Sequence, residues 1–226
     1  MQAYPPPRTL EELNSRLAAI AGLRIGDLAA PFGIEVPENL RQKKGFIGQL
    51  LEMVLGADGG NYMRPDFSEL GVELKTIPVS TSGKPLESTY VSVVPMTNRS
   101  LQDWSQSIVH AKLSHVLWLP VEATRDIKVA DRRVGAGFLW QPNQQLANEL
   151  AADYTELMTQ VVCGEVESIT ADLGQWLHIR PKAANSSVLT DAVGPEGQMI
   201  KTLPRGFYLR AQLTRQILAG QFSNVF

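Results

Sequence analysis

The segment from Asp66 to Lys75, Asp-Phe-Ser-Glu-Leu-Gly-Val-Glu-Leu-Lys, carries the residues best suited to chemistry. If its second half is a β-strand, Glu73 and Lys75 share one face, because side chains two residues apart point the same way. The carboxylates of Asp66 and Glu73 and the carbonyl of Leu74 are oxygen ligands of the kind that Mg²⁺ prefers. Lys75 would orient or help deprotonate an attacking water and offset the charge that builds on the phosphorus. The pattern therefore predicts metal-assisted phosphodiester hydrolysis.

A second group lies upstream, on a helix predicted from about Lys44 to Leu55 with Gly56 as its C-terminal stop. Lys44, Gly48 and Glu52 are four residues apart, so they lie on one stripe of this helix, away from its apolar face. A cation, a missing side chain and a carboxylate in a row suit the close approach of a metal and a phosphate backbone. An alternative stays open at this point, in which the acidic motif is a chance match on a solvated strand edge.

Charge is unevenly distributed along the chain. The totals, 21 Lys+Arg and 23 Asp+Glu with a formal net charge of -2, exclude a uniformly basic protein that coats nucleic acid or an anionic membrane. The stretch from Arg180 to Arg215 nevertheless holds six basic and two acidic residues, a local +4, and leaves 15 basic and 21 acidic residues elsewhere. The near-neutral total thus conceals a basic segment.

Two motifs in this basic segment mix cations with planar or small polar groups: Arg180 to Asn185 and Arg205 to Arg210. Arginine can read guanine through paired hydrogen bonds, and lysine binds phosphates without reading sequence. A tyrosine such as Tyr208, placed near the adenine amino group, would sense whether that nitrogen carries a methyl group. The alternative is that the cations lie on a solvated loop and that the residues around Tyr208 belong to an ordinary core.

Length and composition set the remaining bounds. A chain of 226 residues with 44% hydrophobic residues is expected to fold as a single domain over residues 1–226. Its single cysteine, Cys163, excludes an intramolecular disulfide and suggests a reducing compartment. No apolar run approaches the roughly 18 residues of a membrane span, and the proline-rich start is unlike a signal peptide. We therefore expect a cytoplasmic protein without membrane association.

The elements that must position these residues follow from hydrophobic periodicity. The nearly continuous apolar run from His115 to Val121 predicts the buried centre of a sheet, and residues 72–79 and 88–95 predict two strands joined as a hairpin. A long amphipathic helix is predicted over 143–162, and shorter helices near 187–193 and 212–218. The pattern indicates a mixed α/β domain, with a central mixed sheet flanked by helices.

Several stretches together resemble one family. They include Leu70 to Pro78, Ile179 to Asn185 and Leu203 to Leu209, and the likeness to the MutH family, the methyl-directed mismatch-repair endonucleases of bacteria, covers nearly the whole chain. The resemblance implies a restriction endonuclease-like PD-(D/E)xK fold with two lobes around a DNA cleft. It implies a catalytic lobe over about 40–125 and a DNA-recognition lobe over about 126–226, packed with the N-terminal helices.

The resemblance also implies an activity and partners. These are Mg²⁺-dependent nicking of the unmethylated strand 5′ to GATC in hemimethylated double-stranded DNA, and activation by MutL after MutS has found a mismatch. One recognition segment and one active site in the chain lead us to expect a monomer. The exposed side of the final helix, Gln212 to Leu218, and the tail are candidate contacts for MutL by likeness.

Site residues carry over by their matching motifs. The resemblance implies that Glu52, Asp66, Glu73 and Lys75 are catalytic. It also implies that the three acids and Leu74 hold the metal. The residues implied to contact DNA are Lys44, Gly45, Tyr90, Lys112, Arg180, Pro181, Lys182, Gly206, Tyr208 and Arg210, of which Tyr208 matches the methylation-sensing tyrosine. The sequence departs from the family pattern at Gln42-Lys43, where an Arg-Asp pair is common, at 108–111, where the family is more basic, and at Tyr90, where phenylalanine is usual.

Two other functions remain in view. A GATC-specific restriction endonuclease would share the catalytic region but cut both strands without a helper. A non-catalytic DNA-binding protein would sense methylation and use the acids only for structure.

Overall fold

The computed structural model describes residues 4–41, 43–59, 64–183 and 185–220. The chain divides into two units, Met1–Glu87 with His115–Gln141 and Ser88–Ser114 with Pro142–Phe226. The two N-terminal helices, Leu10–Ile20 and Ile25–Ala29, fall in the same unit as the segment 44–79, and the units interleave along the chain. The cause is strand pairing, because the strand that begins at residue 116 pairs with the strand that begins at residue 73.

The first unit packs three helices on a small mixed sheet. Its elements are α1 (Leu10–Ile20), α2 (Ile25–Ala29), α3 (Phe46–Leu55), β1 (Glu73–Val79), β3 (Val116–Glu122) and β4 (Phe138–Trp140). Thr9 caps α1 by accepting a hydrogen bond from the Glu12 amide, and α3 ends at Gly56, whose φ of 80° is left-handed. Strand β3 lies at the centre of the sheet, parallel to β1 and antiparallel to β4, as its apolar run predicts.

One face of this sheet forms the core of the first unit. Leu74, Leu117 and Leu119 pack there with buried residues of the three helices, such as Leu13 and Leu51. Side chains alternate along a strand, so the residues between them, Glu73 and Lys75 among them, lie on the opposite face of the sheet.

The second unit contains an antiparallel sheet and a separate two-stranded ribbon. Its elements are β2 (Thr89–Val93), α4 (Ile108–Leu113), α5 (Gln144–Val162), β5 (Leu177–Pro181), β6 (Thr190–Val193), β7 (Met199–Thr202), β8 (Arg205–Leu209) and α6 (Ala211–Leu218). The sheet has the order β2-β8-β5, and β6 pairs with β7. Asn143 caps α5 by accepting from the Leu146 amide at 2.9 Å. Helix α5 was predicted over nearly the same residues.

The mixed α/β class is confirmed, and two local predictions are wrong. Residues 80–85 do form the predicted turn, but β2 pairs with β8 rather than returning along β1 as a hairpin. Residues 190–193 are a strand, not part of a helix, because they pair with β7 across the tight turn at Gly194 and Gly197. Among the residues that the structure describes, no helix is long and apolar enough to cross a membrane.

Candidate active site and nucleic-acid interface

Glu73 and Lys75 form a buried ion pair at the start of β1. The Lys75 Nζ donates to the Glu73 Oε1 at 2.6 Å, and the two side chains are 10% and 2% exposed, respectively. This burial contradicts the alternative of a solvated strand edge, since most surface pairs keep their charges in water. Burying two charges costs free energy that the attraction of the pair often does not recover, so this pair is weak evidence for stability and a candidate for a functional role.

Asp66 is fixed beside this pair by the backbone. Its Oδ2 accepts from the Leu74 amide at 2.9 Å, and its carbonyl accepts from the amides of Asp58 and Gly59. The tight turn that follows, closed by the pairing of Phe67 with Val72, returns the chain to β1. A residue eight positions before Leu74 is thereby brought next to the segment that carries Glu73 and Lys75.

Glu52 approaches β1 from the core side. A Cβ built on Gly48 would lie 4.0 Å from the Glu52 Oε1 and 3.8 Å from the Thr76 Oγ1, so the predicted stripe of α3 faces β1 at Thr76. Thr76 and Leu74 lie on one face of the strand, and Glu73 and Lys75 on the other. The structure thus joins Asp66 to the Glu73 segment through the Leu74 amide and brings the α3 stripe of Gly48 and Glu52 to Thr76, and the part of Glu52 in catalysis stays a prediction.

The donor set fits a hard divalent cation. Two carboxylates are placed at the start of β1, since Glu73 begins the strand and Asp66 accepts from the amide of the next residue, Leu74, and Mg²⁺ takes one or two carboxylates and completes its shell with water. In the described parts of the chain, no group of three or more His, Cys, Asp or Glu side chains is positioned to hold a metal. A site built on two carboxylates is consistent with both observations.

The second unit brings four predicted DNA contacts, Tyr90, Tyr208, Arg180 and Lys182, together on one sheet face. Tyr90, Tyr208 and His178 lie side by side across β2, β8 and β5. The rings of Tyr90 and Tyr208 are 5.4 Å apart, the Arg180 guanidinium carbon lies 5.3 Å from the Tyr208 ring, and the Lys182 Nζ lies 3.4 Å from the Tyr90 ring. Each tyrosine thus holds one cation against its face by cation–π attraction, and both cations are exposed.

Strand alternation separates this face from the core. Phe207 and Ile179 are buried on the other side, where Phe207 packs 5.8 Å from Tyr154 of α5, whereas Tyr208 and Arg180 point away from them. Phe207 is therefore core, and Tyr208 is not. The alternative that the residues around Tyr208 belong to an ordinary core therefore holds for Phe207 but not for Tyr208.

Gly206 has a steric reason to lack a side chain. A Cβ there would lie 2.9 Å from the Tyr90 Cε2 and 3.2 Å from the Tyr208 Cε2, so any other residue would push the two rings. Gly206 also faces Arg180 in the β5–β8 register. Pro181 is exposed at the next position of β5, opposite Arg205, and Lys182 is anchored by its amide, which donates to the Pro204 carbonyl at 2.7 Å.

The remaining predicted contacts are placed less directly. Lys44 and Gly45 are exposed before α3, whereas Lys112 is buried in α4. Arg210 donates from its guanidinium to the carbonyls of Ala171, Leu173 and Gly174, at distances of 2.7 to 3.1 Å. This is the arrangement of a structural arginine that ties a loop to the sheet. Gln42 and Ala184 and the tail proposed for MutL lie outside the described residues.

His178 lies on the same sheet face as Tyr90, Tyr208, Arg180 and Lys182, which we call the tyrosine face, and the sequence did not indicate it. Its ring centre lies 6.3 Å from that of Tyr208, and the residue is buried. Burial, aided by the charges of Arg210 and Arg180, lowers the pKa of His178 to about 4, so its ring is neutral near pH 7. The available signal was its position two residues before Arg180, which places both on the same strand face.

Comparisons with known proteins show similarity to one family. The family model described as DNA mismatch repair enzyme MutH matches residues 55–153. The DNA mismatch repair protein MutH of Escherichia coli (strain HS) and that of Escherichia coli (strain K12) are each 50% identical to this chain over 217 residues, which cover 96% of the chain and 95% of each relative. The family-model match contains Asp66, Glu73 and Lys75.

Proposed function

The chain belongs to the MutH family of DNA mismatch repair enzymes, and from this premise we propose that it is an Mg²⁺-dependent endonuclease that nicks the unmethylated strand 5′ to GATC in hemimethylated DNA. The observation that carries the proposal is the buried Glu73–Lys75 pair, with the Asp66 carboxylate fixed beside it by the Leu74 amide. We further propose that MutL activates the nicking after MutS recognises a mismatch, and that the protein acts as a monomer in the cytoplasm.

In this proposal the carboxylates of Asp66 and Glu73 and the carbonyl of Leu74 hold Mg²⁺, with Glu52 as a further acid near the same strand. The bound ion supplies Lewis acidity for the attacked phosphate. Lys75 orients the attacking water and offsets the negative charge that develops as the phosphorus–oxygen bond forms. Its ion pair with Glu73 fixes its ammonium group at the strand end before substrate arrives.

Sequence recognition would come from the tyrosine face. Arg180 is placed to read a guanine edge, Lys182 to hold a phosphate, and Tyr208 to sense the adenine amino group. Tyr90, two strands away from Arg180 and against the Tyr208 ring, would stack on or wedge between bases. Lys44, Gly45 and Lys112 would contact the backbone near the reacting phosphate.

Replacing Lys75 by alanine tests the enzyme proposal. We expect GATC duplex binding to persist and nicking to fall by roughly 10² to 10⁴, because one catalytic proton-transfer or charge-stabilising group is lost. The assay follows nicking of a hemimethylated GATC plasmid with Mg²⁺ and MutL. The matched control is Lys84→Ala, which removes an exposed lysine from the turn after the same strand.

The outcomes separate the candidate functions. Full activity of the Lys75→Ala variant would place catalysis elsewhere. Equal cutting of hemimethylated and fully methylated plasmid would contradict the methylation claim. Rapid double-strand cleavage without MutL would identify a restriction endonuclease, and no cleavage by the unmodified chain would favour a non-catalytic binding protein.

A further inference from the structure

A wide groove in the first unit lies outside the site described above, except that it begins at Lys44 and Gly45. It has a volume of about 990 Å³ and lies between the segment before α3, the end of β1 and the loop after β3. That loop, residues 123–132, contains the short 3₁₀ helix Val129–Asp131. All of these segments belong to one unit, so the groove is a feature of that unit alone.

The groove is more basic than the unit that carries it. Five of its lining residues are basic (Arg41, Lys44, Arg125, Lys128 and Arg132) and three are acidic (Glu38, Glu87 and Asp126), a local charge of +2. The unit as a whole has 13 basic and 14 acidic residues, a charge of -1. Cations are therefore concentrated on this surface, as at sites that bind polyanions.

The cations of the groove point to solvent rather than to partners within the protein. Arg41, Lys44, Arg125 and Lys128 are exposed, and within the described part of the chain none of the four forms an ion pair. Arg132 differs from them, because it is half-buried and its Nε donates to the Ile127 carbonyl at 3.5 Å, which supports the loop. Exposed cations held on a loop of this kind are available for phosphates.

We propose that this groove binds the sugar–phosphate backbone of duplex DNA, with Arg125 and Lys128 making contacts that continue those of Lys44. The proposal rests on the proposed function, since it extends the surface on which the substrate would lie. The groove lacks the aromatic rings of the tyrosine face, and lysine and arginine contacts to phosphate carry no sequence information. The contacts should therefore strengthen binding to any duplex equally.

The test variant is Arg125→Gln with Lys128→Gln, which removes two exposed charges from the loop. Binding is measured by fluorescence anisotropy on two duplexes of equal length, one with a GATC site and one without, over a series of salt concentrations. We expect about tenfold weaker binding to both duplexes at 50 mM salt, and a slope of log affinity against log salt that is smaller by about 2. Nicking of GATC should weaken at limiting DNA but keep its methylation preference.

The matched control is Arg8→Gln with Lys84→Gln, which removes the same charge from exposed positions of the same unit that do not line the groove. Control binding should stay within twofold of the unmodified chain. Thermal unfolding midpoints of both variants check that each is folded.

Three outcomes would overturn the proposal. If the groove variant has unchanged affinity and salt slope while the unmodified chain binds tightly, the groove does not bind DNA, and the proposed function is unaffected. Unchanged duplex binding with a lost response to MutL would assign the groove to an acidic protein surface instead. An unmodified chain that binds neither duplex would overturn the groove together with the proposed function.

Discussion

At the scale of single residues, the proposed catalytic and recognition groups share one feature, a cation whose position is fixed by a neighbouring side chain. Lys75 is held by Glu73 at 2.6 Å, and Lys182 and Arg180 are held against the rings of Tyr90 and Tyr208. Lysine and arginine side chains lose up to about 2 kcal/mol of conformational entropy when they are fixed. Fixing them in advance leaves more of each contact for binding or for the transition state.

Tyr208 should discriminate adenine methylation through its hydroxyl. Tyr208→Phe keeps the ring contacts with Tyr90 and Arg180, so the sheet face should persist. We expect near-normal nicking of unmethylated sites, and a loss of discrimination against methylated adenine worth about 1 to 3 kcal/mol if a direct base contact is removed. The measurement is the ratio of nicking rates on unmethylated and methylated strands.

Tyr90→Phe is the matched control for Tyr208→Phe. It removes the same atom from the neighbouring ring, and the resemblance to the family implies that phenylalanine is usual there. Its discrimination ratio should equal that of the unmodified chain. If Tyr208→Phe also leaves the ratio unchanged, methylation sensing belongs to another residue of the face.

At the scale of elements, short sequence signals correctly predicted the features that depend on neighbouring residues, such as helix ends. Helix α5 begins after Asn143 and α3 ends at Gly56, because a cap and a left-handed glycine are sufficient to begin or end a helix. Partners of strands were not predictable in the same way. The turn at 80–85 forms, yet β2 pairs with β8, more than 110 residues away, because pairing is decided by packing of whole faces.

The candidate site was predictable to the extent that it lies within one segment. Glu73 and Lys75 are two residues apart on a strand, so their shared face follows from the sequence. The burial of the pair and the proximity of Tyr90 to Tyr208 depend on contacts distant in sequence, and the anchoring of Asp66 depends on how the turn at 67–72 folds. The basic groove was not predicted from charge along the sequence, because acidic residues adjoin its cations in the chain.

Asp153 should anchor β5 to α5 through backbone amides. Its buried carboxylate accepts from the amides of Gln175, Trp176 and Leu177 at 2.6 to 2.8 Å, where β5 begins. Asp153→Asn replaces one acceptor oxygen with a donor, which leaves buried amides unsatisfied. We expect a loss of about 2 to 4 kcal/mol in the free energy of unfolding, measured by urea titration.

The control for this prediction is Asp172→Asn, an exposed acid in the loop just before β5. It should change the free energy of unfolding by less than about 0.5 kcal/mol. If Asp153→Asn destabilises no more than Asp172→Asn does, the amides are satisfied by other groups and the anchor is unimportant.

At the scale of the whole molecule, charge is distributed by surface rather than by unit. The second unit has 8 basic and 9 acidic residues, so each unit carries -1. The tyrosine face and the groove are nevertheless both basic, whereas some acids lie elsewhere, at the proposed catalytic site or at anchors such as Asp153. A total of -2 therefore limits nonspecific attraction to DNA without preventing oriented binding at two basic surfaces.

The stability of the chain should depend on pH through His178. In the folded chain, burial and, to a smaller extent, the charges of Arg210 and Arg180 lower the pKa of His178 to about 4. In the unfolded chain a histidine titrates near 6.5. Below pH 6.5 the unfolded chain binds a proton that the folded chain does not. The free energy of unfolding should therefore fall as the pH is lowered from about 6.5 towards 4, by at most roughly 3 kcal/mol from this residue.

Urea unfolding at a series of pH values, followed by tryptophan fluorescence, measures this dependence. His178→Gln removes the titrating group, so its free energy of unfolding should vary less than that of the unmodified chain between pH 6.5 and 4 and run parallel to it above pH 7. Burial also lowers the pKa of His115, so His115→Gln is the companion variant that isolates its smaller share. An undiminished slope in His178→Gln would show that the ring titrates alike in the folded and unfolded chain, because only a group that binds the same number of protons in both states leaves stability independent of pH.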